Sequence, residues 1–184
     1  SLHTFIETLA CDLELSKQEI MLKLLEQGAR SAQEALAEIE KKELVELGAV
    51  EQLEPQTAAG FHILNTNKAH SDEDSECMLG EGIAAAFYCP WKWNINRIKP
   101  NEVVFLYENG KGIVAYGRGT GEVKIRDYHG DKDECHYQEL EGFKILENPL
   151  SAAQIKKILE RNVVFLRTMS AMPDGQKVLN LIEG

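Results

Sequence analysis

The chain has 184 residues with 30 acidic and 20 basic side chains, a formal charge of −10 and a hydrophobic content of 43%. A chain of this size and composition folds around its own core as one domain or two small ones, which excludes global disorder. It holds no apolar run near the roughly 18–20 residues that span a bilayer, and it shows no signal peptide.

The four cysteines, Cys11, Cys77, Cys89 and Cys135, lie far apart with no Cys-x-x-Cys spacing. A disulfide or zinc framework is therefore unsupported, no metal or cofactor is expected, and the expected location is cytoplasmic. The net charge alone speaks against a basic surface that tracks phosphates. Its distribution is uneven, however. Residues 1–55 have five basic and 12 acidic side chains, and residues 56–90 have one basic and five acidic. Residues 91–126 reverse the sign with seven basic against three acidic. Residues 127–150 return to two against seven, and residues 151–184 carry five against three. A basic middle inside an acidic chain bears on partner choice more than the total does.

In chain order, residues 3–48 read as helical. Leu2, Phe5, Ile6, Leu9 and Leu13 recur at three- and four-residue spacing, as a one-sided helix requires. Ser16-Lys17-Gln18-Glu19 fits a capping box and starts a second helix with Ile20, Leu24 and Leu25 inward and a stop at Gly28. Ser31 and Glu34 start a third, with Ala35, Leu36 and Ile39 as its apolar stripe, and a short turn over 42–47 ends at Gly48. Residues 1–50 are thus expected to form a helical module with an acidic, solvated outer face. Residues 51–60, with Pro55 and Gly60 and no periodicity, read as a linker. The remainder, 61–184, reads as a second domain.

That second domain opens with a strand, Phe61-His62-Ile63-Leu64-Asn65, running out into Thr66-Asn67. An acidic loop over 68–76 precedes a helix predicted over 77–88 and ended by Pro90. Val103–Tyr107 and Gly112–Gly117 are apolar strands around Asn109-Gly110, the best hairpin signal in the chain. Further strands are expected at Glu122–Tyr128 and Tyr137–Leu146, a Ser151-capped helix to Arg161, and a last helix over 173–184. Hairpin-linked strands with peripheral helices give an α+β class, a small mixed sheet or partly open barrel.

No Gly-x-Ser-x-Gly, P-loop or His-Glu-x-x-His is present, so no catalytic residue is assigned and an enzyme is not expected. Gly117-Arg118-Gly119-Thr120-Gly121 follows a strand without opening a long helix, so it reads as a turn or bulge, or as glycines that admit a close backbone. Cys135-His136, with His129 nearby, has poor zinc spacing and acidic neighbours that raise a thiol pKa. The aromatic run Phe87-Tyr88-Cys89-Pro90-Trp91-Lys92-Trp93 holds both tryptophans, followed by Asn94, Asn96, Arg97 and Lys99. Rings, amides and cations in alternation suit a pocket that stacks a flat group and reads its edge, and paired tryptophans equally suit a core plug.

Trp91-x-Trp93-Asn94-Ile95-Asn96-Arg97-Ile98-Lys99-Pro100-Asn101-Glu102-Val103-Val104-Phe105-Leu106-Tyr107, then Gly112-Ile113-Val114-Ala115-Tyr116-Gly117, resembles the EVE domain of the PUA-like superfamily, a relative of YTH domains. Phe61–Asn67 resembles the first strand of such domains, the match covers roughly residues 60–165, and Asn101-Glu102 stands where Gly-Asp is usual. The resemblance implies a small barrel that binds a modified or flipped nucleobase, in DNA or RNA, as the non-enzymatic reader of a bacterial restriction or defence system or of an RNA-related one. By position, Trp91, Trp93 and Tyr88 become cage walls, Asn65, Thr66 and Asn96 base-edge contacts, and Lys92, Arg97 and Arg118 phosphate contacts. Two rival expectations stand beside it. One is a protein-interaction or self-association module acting through the acidic helices at 3–48. The other is an enzyme using Cys89, or Cys135 with His136. Ser1 in place of Met suggests a processed or excised piece of a longer protein.

Overall fold

The computed structural model describes residues 2–13, 15–50 and 60–184, so all of the expected linker except Gly60 lies outside the described residues. The chain divides into two compact units, Ser1–Glu40 and Lys41–Gly184. The first holds α1 (Leu2–Asp12) and α2 (Lys17–Val50) as far as Glu40. The capping box forms as the sequence predicts. Ser16 N–H donates to Glu19 Oε2 at 2.8 Å, and Glu19 N–H donates to Ser16 Oγ at 3.2 Å. The expected stops at Gly28 and Gly48 do not occur: α2 is one helix of 34 residues. Propagating a nucleated helix adds a hydrogen bond per residue fixed, whereas restarting one repeats the costly nucleus, and a single interior glycine costs only about 1 kcal/mol.

The second unit runs β1 (Phe61–Asn65), α3 (Asp72–Glu81), β2 (Ile83–Phe87), a 3-10 helix (Trp91–Arg97), β3 (Val103–Glu108), β4 (Gly112–Gly119), β5 (Lys124–Tyr128), β6 (Asp131–Leu150), α4 (Ala152–Leu159), β7 (Met169–Ala171) and α5 (Gly175–Glu183). Seven strands make a mixed sheet in the order β2-β6-β4-β3-β1-β7, with β5 also on β6, curled into a partly open barrel with peripheral helices. The β1–β3 pair is parallel, Phe61 opposite Val103 and Asn65 opposite Tyr107, and every other pair is antiparallel. A parallel pair needs a long crossover, and residues 66–102 supply it with α3, β2 and the 3-10 helix.

β6 is the spine. Residues from Asp131 to Glu139 pair with β5 and β2, and those from Leu140 to Leu150 pair with β4. β3 is buried on both faces, which is why it reads as an unbroken apolar run. Val104 and Leu106 pack with Leu64, Met78, Ile95 and Ile98 on one side. Val103, Phe105 and Tyr107 pack with Ile155, Leu159 and Val178 of the covering helices on the other.

Two expectations are corrected here. The run at 68–76 is not all loop: α3 starts at Asp72 after the Ser71 cap, whose hydroxyl accepts from Asp74 N–H. Asp72, Glu73 and Asp74 then sit in the first turn, where the helix dipole favours them. The helix predicted over 77–88 instead ends at Gly82, in the left-handed region at φ 65°, where a Cβ would also press on Phe143. Ala84, Ala85 and Ala86 therefore lie in β2, opposite Gln138, Tyr137 and His136, their helix propensity overruled by sheet pairing. β6 also extends well beyond the predicted Tyr137–Leu146, because the His129-Gly130 turn folds its acidic start back onto β5. The turn at Asn109-Gly110 and the Ser151 cap form as predicted, and Gln154 completes that cap as a capping box.

Candidate nucleobase site

The aromatic run is split by β2 and the 3-10 helix. Phe87 ends β2, and Tyr88 turns away with φ 58°. Pro90 then caps the 3-10 helix, whose turns are closed by Trp93 N–H to Pro90 O at 3.1 Å and by the Asn94 amide to Trp91 O at 3.0 Å. Ile95 and Ile98 are its buried anchors. Beneath them lies Gln138, fully enclosed on β6. Its Nε2 donates to Ile95 O at 2.8 Å and Ile98 O at 3.0 Å, while its Oε1 accepts from Gly121 N–H at 2.9 Å. With both isoleucines inward, Trp91 is half-buried and Trp93 remains 43% exposed, so the paired tryptophans are not a core plug.

Tyr128, at the end of β5, is the hub. Its ring stacks on Phe87 with centroids 4.3 Å apart and meets Tyr88 edge-on at 5.1 Å. Its hydroxyl donates to the buried Asp74 carboxylate at 2.8 Å, which also accepts from Asn67 Nδ2 at 2.7 Å. Burial, and then the hydrogen bond to Asp74, push the Tyr128 phenol far above its ordinary range. Tyr88, 39% exposed, reaches Asp131 at 3.3 Å. Asn67, Tyr88 and His129 all hold positive φ (64°, 58° and 49°), a left-handed conformation that is rare for residues with side chains. Three such residues converging on Tyr128 and Asp74 mark a segment where local geometry is held by its surroundings.

The structure places the sequence-derived candidates unevenly. Tyr88, Trp91, Lys92, Trp93, Asn96 and Arg97 share one short connection. Asn96 Oδ1 lies 2.8 Å from His136 Nδ1, and Lys92 is bound to the Glu134 carboxylate at 3.0 Å and the Asp133 carbonyl at 2.9 Å. Arg118 donates to Asn101 O at 3.1 Å. Asn65 donates to Phe165 O at 3.0 Å and Asn109 Oδ1 at 3.3 Å, and Thr66 is fully enclosed with its hydroxyl on Ser75. The end of the first strand thus reaches the aromatic cluster through Asn67 and Asp74, which sequence reasoning passed over. Asn67 stood in the polar run that follows β1, but nothing in the sequence separates Asp74 from its acidic neighbours.

The other motifs resolve into packing. A Cβ on Gly119 would lie 2.4 Å from the Ile98 side chain, and one on Gly121 would lie 2.5 Å from Pro100, so these glycines admit the chain's own atoms. Strand alternation sends Cys135 and His136 to opposite faces of β6. Arg126 donates to Cys77 Sγ at 3.0 Å and Glu81 Oε2 at 2.9 Å, beneath the Tyr137 ring. Burial raises the thiols of Cys77 and Cys135 even so, which leaves both protonated at neutral pH. Burial, and then the Lys92 charge, lowers His136. Among the described residues, no helix is long and apolar enough to cross a membrane.

The fold and this mouth define an α+β, partly open barrel with an aromatic connection at its rim. No family model and no curated protein matches the chain. Two solved structures are similar to it. A hypothetical protein from Leishmania major is 8% identical with a TM-score of 0.45, over 68% of this chain and 96% of its own. A protein of Pseudomonas syringae is 13% identical with a TM-score of 0.43, over 66% and 97% respectively.

Proposed function

We propose that the second unit is a non-enzymatic reader that stacks a modified or flipped nucleobase on Trp93, with Trp91 and Tyr88 as further walls and Asn96 at the base edge. The observation that carries this reading is the exposure of Trp93 on a connection whose own isoleucines are buried. An exposed indole held on a fixed short helix presents a π-face at little entropic cost, and stacking contributes about 1–3 kcal/mol per base. The resemblance to EVE and YTH-related domains points the same way. Lys92 is neutralised by Glu134, and Asp131 and Asp133 stand close by. Backbone phosphate attraction is therefore weak at this rim, and affinity must come from the base itself, with Arg97 and Arg118 as further phosphate contacts.

The test is a titration of the full chain with single-stranded and duplex DNA and RNA oligonucleotides, each with and without a methylated base, at two salt concentrations. One modified oligonucleotide is expected to bind at least tenfold tighter than its unmodified counterpart, with a shallow salt dependence. Trp93→Ala is expected to abolish that preference. Unchanged binding in both Trp91→Ala and Trp93→Ala overturns the assignment.

A further inference from the structure

The first unit leaves one face of α2 open. Met21, Leu25, Gly28, Ala32, Ala35 and Ile39 follow one another at alternating spacings of four and three residues. That seven-residue period keeps a helix face turned toward a second helix wound around it. Leu25, expected from the sequence to face inward, is 70% exposed, Ile39 is 46% and Met21 44% exposed, and Gly28, Ala32 and Ala35 are exposed as well. At 100° per residue, Lys23, Glu26, Arg30 and Glu34 fall on the opposite side, and the fifth charged residue of this stretch, Glu38, lies beside the stripe in line with Ile20. Contact with α1 falls beside the stripe, along a groove lined by Leu9, Leu13, Ile20 and Leu24. Gly28 has no role within this arrangement. A Cβ there would meet nothing within 4 Å, although glycine weakens a helix interior relative to alanine.

We propose that α2 pairs antiparallel with the α2 of a second copy of this chain, about a two-fold axis near residue 30. Reversal maps the stripe onto itself: Met21 faces Ile39, Leu25 faces Ala35, and Gly28 faces Ala32. The bulky side chains close the two ends, and the smallest residues meet at the crossing, where two backbones approach closely and Gly28 gains a purpose. The stripe is free of charge, so the acidity of the chain is carried away from the contact. A membrane surface fits less well, because this stretch bears three glutamates against Lys23 and Arg30 and lacks the basic surplus that anionic lipid attracts. With Leu25, Ile39 and Met21 exposed at 70%, 46% and 44% and three small residues between them, the stripe offers on the order of 450 Å² per copy, about 900 Å² in all, the size of a weak rather than a permanent interface.

Sedimentation equilibrium of the full chain tests this. The expected result is a dimer with a Kd on the order of 10 µM, weakened at least tenfold by Leu25→Glu and by Ala32→Glu, with circular dichroism unchanged in both. Both positions are exposed, so neither substitution strikes a core. Direction is read by oxidative cross-linking: a mixture of Met21→Cys and Ile39→Cys chains forms the mixed disulfide, and neither variant alone forms its own at those positions. A monomer at ten times that concentration, a dimer indifferent to both glutamates, or cross-linking of Met21→Cys with itself overturns the proposal. Binding to anionic vesicles by a chain that stays monomeric overturns it equally.

Discussion

Removing the Tyr128 hydroxyl tests whether Tyr128 and Asp74 join the first strand to the aromatic rim. Tyr128→Phe keeps the ring that stacks on Phe87 at 4.3 Å and deletes only the 2.8 Å hydrogen bond to Asp74. A hydrogen bond to a charged acceptor contributes about 1.5–3 kcal/mol. Asp74 keeps Asn67 as a donor and sits in the first turn of α3, so it is not orphaned, and the lower half of that range, about 1.5–2 kcal/mol, applies. For a chain of this length each kcal/mol moves the midpoint about 2–4 °C, which gives a fall of roughly 3–8 °C. The assay is denaturant and thermal unfolding of the wild type, Tyr128→Phe, Asp74→Ala and the double variant. The cycle isolates the pair, and a coupling near 1.5 kcal/mol is expected from two groups in direct contact. The folded phenol titrates above its unfolded value near 10, so the pair's stability is intact below pH 10 and is lost as pH rises further, a slope that Tyr128→Phe abolishes. A loss under about 0.5 kcal/mol with no coupling would refute the reasoning, because it would mean that solvent serves Asp74 as well as the phenol does.

Two further outcomes are expected. Gln138→Leu strips the enclosed Ile98 carbonyl of its described side-chain partner, leaves the Ile95 carbonyl with Ile98 N–H alone at 3.2 Å, and frees the N–H of the exposed Gly121. With one enclosed carbonyl left without its partner the loss is about 1–3 kcal/mol, and tryptophan emission shifts because both indoles ride on that segment. His136 titrates below the ordinary histidine value near 6.5 in the folded chain, so the unfolded chain takes up the proton first. The stability it contributes is complete above that value and is lost as pH falls below it. Urea midpoints at pH 7.5 and 5.5 read this, and His136→Gln flattens the difference.

Much of the second unit was legible because its signals are local. Val103–Tyr107 reads as a continuous apolar strand, Asn109-Gly110 reads as a turn, and Ser151 reads as a cap, each without reference to distant residues. The misreadings arose where distant partners decide. Ala84–Ala86 form a strand only because β6 lies beside them, and β7 is a three-residue edge held by β1. In the site, the tryptophans announced themselves by composition. Asp74 did not, because its burial depends on Tyr128, which is far along the chain. Gly28 misled for the opposite reason: it resembles a helix stop, and α2 continues through it.

The parallel pairing of β1 with β3 has a consequence for how this protein assembles and varies. The proposed cage and base-edge residues, from Tyr88 through Asn96, are all carried on the single connection between those two strands. Until the strands meet in register the rim has no platform, so its ordering belongs to the late, non-local part of folding. Once they have met, the cost of closing that connection grows only slowly with its length. The rim is therefore free to gain or lose residues over evolutionary time while the register beneath it stays fixed, and a change of ligand need not disturb the barrel.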